Sequence, residues 1–214
     1  MCIIAISEKG VRQPNENEIR TMFRRNPDGA GYMYIEDGRV VIKKGFMHLG
    51  DLLDSLKEDA FTEDDVVVYH FRISTQAGVQ DTMTQPFPWS PELWDMKILW
   101  LSCSLGICHN GIIRLTTNRF DREYSDTARF IAEYLVDIIT KPSDLKDEAK
   151  LKEVYDLAQS KLCFLDSSGY VATVGNFITD EDSGIIYSND SYKKPRYEFT
   201  MDYVKEMYLR RHED

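Results

Sequence analysis

Cys2-Ile3-Ile4-Ala5-Ile6-Ser7 opens the chain with an apolar run that is rich in β-branched residues and short for a helix. It reads as a buried strand over residues 2–7. Residues 15–25 carry Ile19, Met22 and Phe23 at helical spacing, and Asn26-Pro27-Asp28-Gly29 then punctuates the chain as a turn. Strand-like runs at 31–36 and 39–44 flank Asp37-Gly38, a strong short hairpin signal. A short helix is predicted over 49–58 and a strand over 65–74, whose Val66-Val67-Val68 fits burial on both faces. From 75 to 92 no period is followed, which marks a long loop, ordered or mobile, of a length that is usually functional or disordered.

Residues 98–108 are apolar and strand-like. Helical spacing returns over 126–139 through Ala128, Ile131, Ala132, Leu135 and Ile138, and a second helix with an exposed charged face is predicted over 145–159. Strands follow at 161–165, 170–174 and 185–187, with Ser167-Ser168-Gly169 as a turn, and a last helix is predicted over 200–211. Strands, then helices, then strands predict an α+β fold of two sheets with helices outside, rather than alternating βαβ units. The first strand then lies in the core, which fixes a chain end that otherwise frays.

The 214 residues are read as a single domain, 1–214. Hydrophobic residues at 43% and charged residues at 29% give a globular balance. No apolar run approaches the roughly 18 to 20 residues of a membrane span, and no basic segment precedes an apolar one at the N-terminus, so a soluble cytoplasmic protein is expected. A formal charge of −10, from 36 acidic against 26 basic residues, argues against a nucleic-acid partner. The four cysteines, Cys2, Cys103, Cys108 and Cys163, are expected as free thiols. Cys103, Cys108 and His109 lack a second pair at zinc-site spacing, so no metal is expected.

Four clusters carry possible chemistry. If Met1 is removed, Cys2 combines a thiol nucleophile with an α-amine that titrates near neutrality, about 7.7 to 8.0, and can serve as its base. Read alone, Cys2 is better taken as a buried cysteine opening an apolar run, and the case for a nucleophile comes from the clusters downstream. His70-Phe71-Arg72-Ile73-Ser74-Thr75-Gln76-Ala77-Gly78 places Arg72 at a strand end, where its guanidinium can fork onto a carboxylate or pair with a surface acid. His109-Asn110-Gly111 offers an amide side chain beside a glycine N–H, a donor pair for an oxyanion or an ordinary Asn-Gly turn. Tyr124-Ser125-Asp126-Thr127 precedes a helix, where Ser and Asp are customary N-caps and Asp126 can also receive an ammonium group.

Taken in this order, the clusters resemble the class II glutamine amidotransferase domain of the N-terminal nucleophile hydrolases. Met1-Cys2-Ile3-Ile4 is similar to the family's processed start, with Ile3 where many members have Gly. His70 to Gly78 resembles its His-x-Arg-x-(Ala/Ser)-Thr-x-Gly segment with Ala77 as one extra residue. His109-Asn110-Gly111-Ile112-Ile113 and Ser125-Asp126-Thr127 resemble two further segments. Weaker echoes are Asn26-Pro27-Asp28-Gly29-Ala30-Gly31, Gln85-Pro86-Phe87, Phe164-Leu165-Asp166 with Gly169, and Tyr187-Ser188-Asn189-Asp190.

The resemblance implies a four-layer αββα sandwich and hydrolysis of the L-glutamine side-chain amide to glutamate and ammonia through a γ-glutamyl thioester on Cys2. It implies catalytic roles for Cys2, Asn110 and Gly111, substrate-binding roles for Arg72, Thr75 and Asp126, and no metal or organic cofactor. Ammonia would pass to a separate synthase partner subunit, or another γ-glutamyl compound would be the substrate. An acylase with the same nucleophile and a catalytically silent binding or regulatory protein on the same scaffold are the competing readings.

Overall fold

The computed structural model describes residues 1–73, 80–116 and 123–193. Its first strand, β1 (Ile3–Ser7), is wholly buried, and both neighbours come from far along the chain: β4 (Val67–Phe71) on one side and β11 (Ile186–Tyr187) on the other. Between them come α1 (Glu16–Arg25), β2 (Ala30–Glu36), β3 (Arg39–Phe46) and α2 (Leu49–Asp59). Asn15 caps α1 in a capping box: its side chain accepts the Glu18 N–H at 3.0 Å and the Glu18 carboxylate accepts the Asn15 N–H at 2.7 Å. Ile19, Met22 and Phe23 are its buried face, as their spacing predicts. Asp37 and Gly38 join β2 to β3 with φ of 49° and 70°, the two positive values that a tight hairpin turn needs.

The predicted strand at 98–108 is two strands, not one. β6 (Trp100–Cys103) pairs with β3, whereas β7 (Leu105–Asn110) pairs with β5 (Phe87–Pro88) and β8 (Lys161–Asp166) in the other sheet. The chain changes sheets at Ser104, and because most of the side chains on either side are apolar, composition carries no sign of the break. With β9 (Val171–Val174) and β10 (Ile178–Thr179), the sheets run β10-β11-β1-β4-β2-β3-β6 and β5-β7-β8-β9, every pair antiparallel. The structure is thus α+β with two antiparallel sheets.

Side-chain parity sorts the strand residues into three cores. Ile4 and Ile6 of β1, Val68 of β4 and Ile42 of β3 pack against Cys108, Cys163 and Leu165 of the second sheet. Ile3, Ala5, Val67, Tyr69 and Phe71 face the other way, against Ile19, Met22 and Phe23 of α1 and Leu52 of α2. The outer face of the second sheet, with Leu105, Ile107, Leu162 and Phe164, is covered by helices from 126–158. Both faces of β1 and β4 are dry, which is why neither strand alternates with polar residues.

The predicted helix at 126–139 begins as α3 (Asp126–Phe130), widens into a π turn at Ile131–Leu135 and ends as α4 (Val136–Ile138). The π turn shifts the buried face, so that Phe130 and Ile131 are both inside while Ala132 is only half-buried. The helix expected at 145–159 is a 3-10 turn (Pro142–Lys146) followed by α5 (Glu148–Ala158), which Asp147 caps through the Ala149 N–H at 2.9 Å. Within the expected loop, Asp81–Met83 is a 3-10 turn and β5 joins the second sheet. Lys44, buried at 4% exposure, fastens this segment to β3 by donating to the carbonyls of Thr82 at 2.9 Å and Met96 at 2.5 Å. Burial pushes its ammonium well below the ordinary lysine range. The helix expected at 200–211 lies outside the described residues.

Candidate functional site

Parity along β1 directs Cys2 toward the same side as Ile4 and Ile6, the space between the sheets. Its thiol lies 3.7 Å from the Ile73 carbonyl, and its own carbonyl accepts a hydrogen bond from the Asn189 amide at 2.7 Å. Burial raises the thiol above its ordinary value, while the terminal ammonium and Arg72 pull it down. Met1 precedes it and is 76% exposed.

Asn110 ends β7 on the inter-sheet parity. Its side-chain amide donates to Ser188 Oγ at 2.8 Å, and the same oxygen accepts the Ile4 N–H at 2.9 Å. Asn110 Oδ1 is buried with no hydrogen-bond partner among the described residues. Exchanging the amide's oxygen and nitrogen gives the Ser188 hydroxyl an acceptor for its proton and turns the unpartnered atom into a donor. Gly111 follows at φ +147°, and a Cβ there would stand 1.9 Å from Ser160 Oγ, so glycine is required both by conformation and by space.

His109, between two inward-facing residues, turns to the helix side. Its Nδ1 meets Thr127 Oγ1 at 2.8 Å and its Nε2 meets Ser160 Oγ at 2.8 Å, while Ser160 donates to the Asn110 carbonyl at 3.1 Å. The serine proton is committed to that carbonyl, so His109 Nε2 carries the proton in this contact and Thr127 supplies one to Nδ1. His109 is thus neutral, and burial lowers its pKa to about 4. His70 donates from Nε2 to the His109 carbonyl at 3.1 Å, tying the two sheets together, and burial lowers it to about 3. Gln85 accepts the His109 N–H at 2.6 Å.

Ser125 caps α3, accepting the Ala128 N–H at 3.2 Å. Asp126 is bound beside it through the N–H groups of Ile113 at 2.7 Å and Thr127 at 2.8 Å, one contact to each carboxylate oxygen. Arg72, 7% exposed, continues β4 by pairing its backbone with Gly29 and Asp28. Burial lowers its guanidinium, and the charges of Cys2, Asp28 and Asp126 oppose that shift. Arg72 therefore lies within electrostatic reach of both Cys2 and Asp126, residues from two other stretches of the chain.

Cys2 and Gly111 border a cleft of about 500 Å³, together with Met1 and Ile73. Asn110, Arg72 and Asp126 are not among its walls. Thr75 lies outside the described residues. Ser188, Asn189 and Ser160 were not singled out as site residues from sequence. The first two sit in the weak echo Tyr187-Ser188-Asn189-Asp190, and Ser160, a lone serine between a helix and a strand, gives no pattern to find.

Among the described residues, no group of three or more His, Cys, Asp or Glu side chains is arranged to hold a metal, and no helix is long and apolar enough to cross a membrane. All four cysteines are free, with Cys108 and Cys163 register partners on β7 and β8. No protein-family model matches this chain, and no curated protein matches it.

Proposed function

We propose that this protein is an N-terminal-cysteine amidohydrolase of the class II glutamine amidotransferase type, built on the αββα sandwich of N-terminal nucleophile hydrolases. The observation that supports the reading is that Arg72 lies within electrostatic reach of both Cys2 and Asp126, while Gly111 borders the Cys2 cleft and Asn110 is tied to β1 through Ser188. Removal of Met1 gives Cys2 its own α-amine as base. The thiolate adds to the glutamine carboxamide, and Asn110 with the Gly111 N–H stabilises the oxyanion. Ammonia leaves, and water resolves the γ-glutamyl thioester. Arg72 takes the substrate α-carboxylate and Asp126 its ammonium group. Ammonia is passed to a synthase partner, or the enzyme hydrolyses a γ-glutamyl compound alone.

The test is intact mass before and after treatment with 6-diazo-5-oxo-norleucine, a glutamine-mimicking electrophile, with mapping of the adduct. The expected result is loss of Met1 and a single adduct on Cys2. A protein that keeps Met1, or loses it and does not react, overturns the proposal.

A further inference from the structure

An ammonia leaving group gives a wall of large side chains nothing to bind. Yet the cleft beside Cys2 and Gly111 is walled by Ile112, Leu115 and Leu157, which leave 43%, 47% and 37% of their surface exposed. Exposed apolar groups gathered in one concave place mark a ligand surface. Arg114, between two of them in sequence, adds a guanidinium to the same cleft. Such a surface fits a group with an apolar body and an anionic end. In the proposed reading the amino-acid head group belongs to Arg72 and Asp126, neither of which walls the cleft. What remains for the cleft is the other side of the scissile bond.

We infer that the substrate is a γ-glutamyl amide of an apolar amino acid, a γ-glutamyl dipeptide, with its leaving side chain against Ile112, Leu115 and Leu157 and its carboxylate on Arg114. This rests on the amidohydrolase reading of Cys2. The sulfur adds to the γ-carbonyl and the C–N bond breaks. The leaving amine takes the thiol's proton by way of the α-amine and departs as a free amino acid, and water then cleaves the thioester to give glutamate and restore the thiol. Removal of Met1, itself a wall of the cleft, opens it at the Cys2 end.

The experiment compares kcat/KM of the processed full chain for γ-glutamyl-leucine, γ-glutamyl-glycine and glutamine. A leucine side chain placed against the apolar wall should favour γ-glutamyl-leucine over γ-glutamyl-glycine by about tenfold. Arg114→Gln and Leu157→Asp, both at exposed positions, should each lower the γ-glutamyl-leucine to glutamine ratio by about tenfold. Equal rates for the two dipeptides, or variants that leave the ratio unchanged, overturn this inference while labelling of Cys2 by the diazo reagent preserves the amidohydrolase reading. Failure of both labelling and hydrolysis removes that reading too, as does cleavage of N-acyl amino acids in place of γ-glutamyl ones.

Discussion

Asn110 and Ser188, 78 positions apart in the chain, meet side chain to side chain at 2.8 Å. The contact ties the end of β7 to β1, because Ser188 also holds the Ile4 N–H. Ser188→Ala should therefore lower kcat for glutamine by about 10-fold to 100-fold with little change in KM, since the buried amide loses its orientation. Asn110→Ala should cost more, about 100-fold to 1,000-fold in kcat. Steady-state kinetics decides, and a Ser188→Ala enzyme altered only in KM would assign the serine to substrate binding instead.

Arg72→Ala should act on the other parameter. If the proposed pairing with the substrate carboxylate holds, its loss should raise KM by about 10-fold to 100-fold while the melting temperature moves little. An unchanged KM would mean that the carboxylate is bound elsewhere.

Gly111→Ala meets Ser160 Oγ at 1.9 Å and adopts a φ of +147° that alanine resists. A stability loss of about 1 to 3 kcal/mol is expected in urea denaturation. Adding Ser160→Ala should recover part of it, a coupling readable in a double-mutant cycle. Strict additivity would show that the clash is relieved by other movement.

Acid should weaken the fold before ordinary carboxylates titrate. His70 and His109 are held at about 3 and about 4 when folded, below the roughly 6.5 of an unfolded histidine. As pH falls, the unfolded chain takes up these protons first. The stability they contribute is thus whole above about pH 6.5 and drains as pH falls toward about 4 and then about 3. Between about pH 7 and pH 5 the loss should be on the order of 2 to 4 kcal/mol. His70→Asn should roughly halve that slope, and an unaltered slope would move the titrating groups elsewhere.

Much of the framework is legible in the chain because its signals are local. The Asp37-Gly38 hairpin, the capped stripe Ile19-Met22-Phe23 and the apolar run of β1 each state their element within a few residues. The switch between sheets at Ser104 is illegible because both strands carry apolar residues for different reasons: β6 is the half-exposed edge of the first sheet, whereas β7 is buried inside the second. Cys2, Arg72, Asn110 and Asp126 could be chosen from their residue types and neighbours. Ser188 lies in a weak echo that assigns it no role and Ser160 in no pattern at all, since each acts through a contact made only when distant segments meet.

The long separation between β1 and its partners also orders events during synthesis. Ile4 finds Ser188 only after 184 further residues, about 10 to 40 s at ribosomal rates of roughly 5 to 20 residues per second. Through most of that interval β1 has β4 to pair with on one side, while its other edge waits for β11. The Ile4 N–H and the Asn110 amide therefore share a partner that arrives after both of their strands have been made. A chain truncated before β11 keeps both strands yet leaves the free edge of β1 and the Asn110 amide without the residue that joins them.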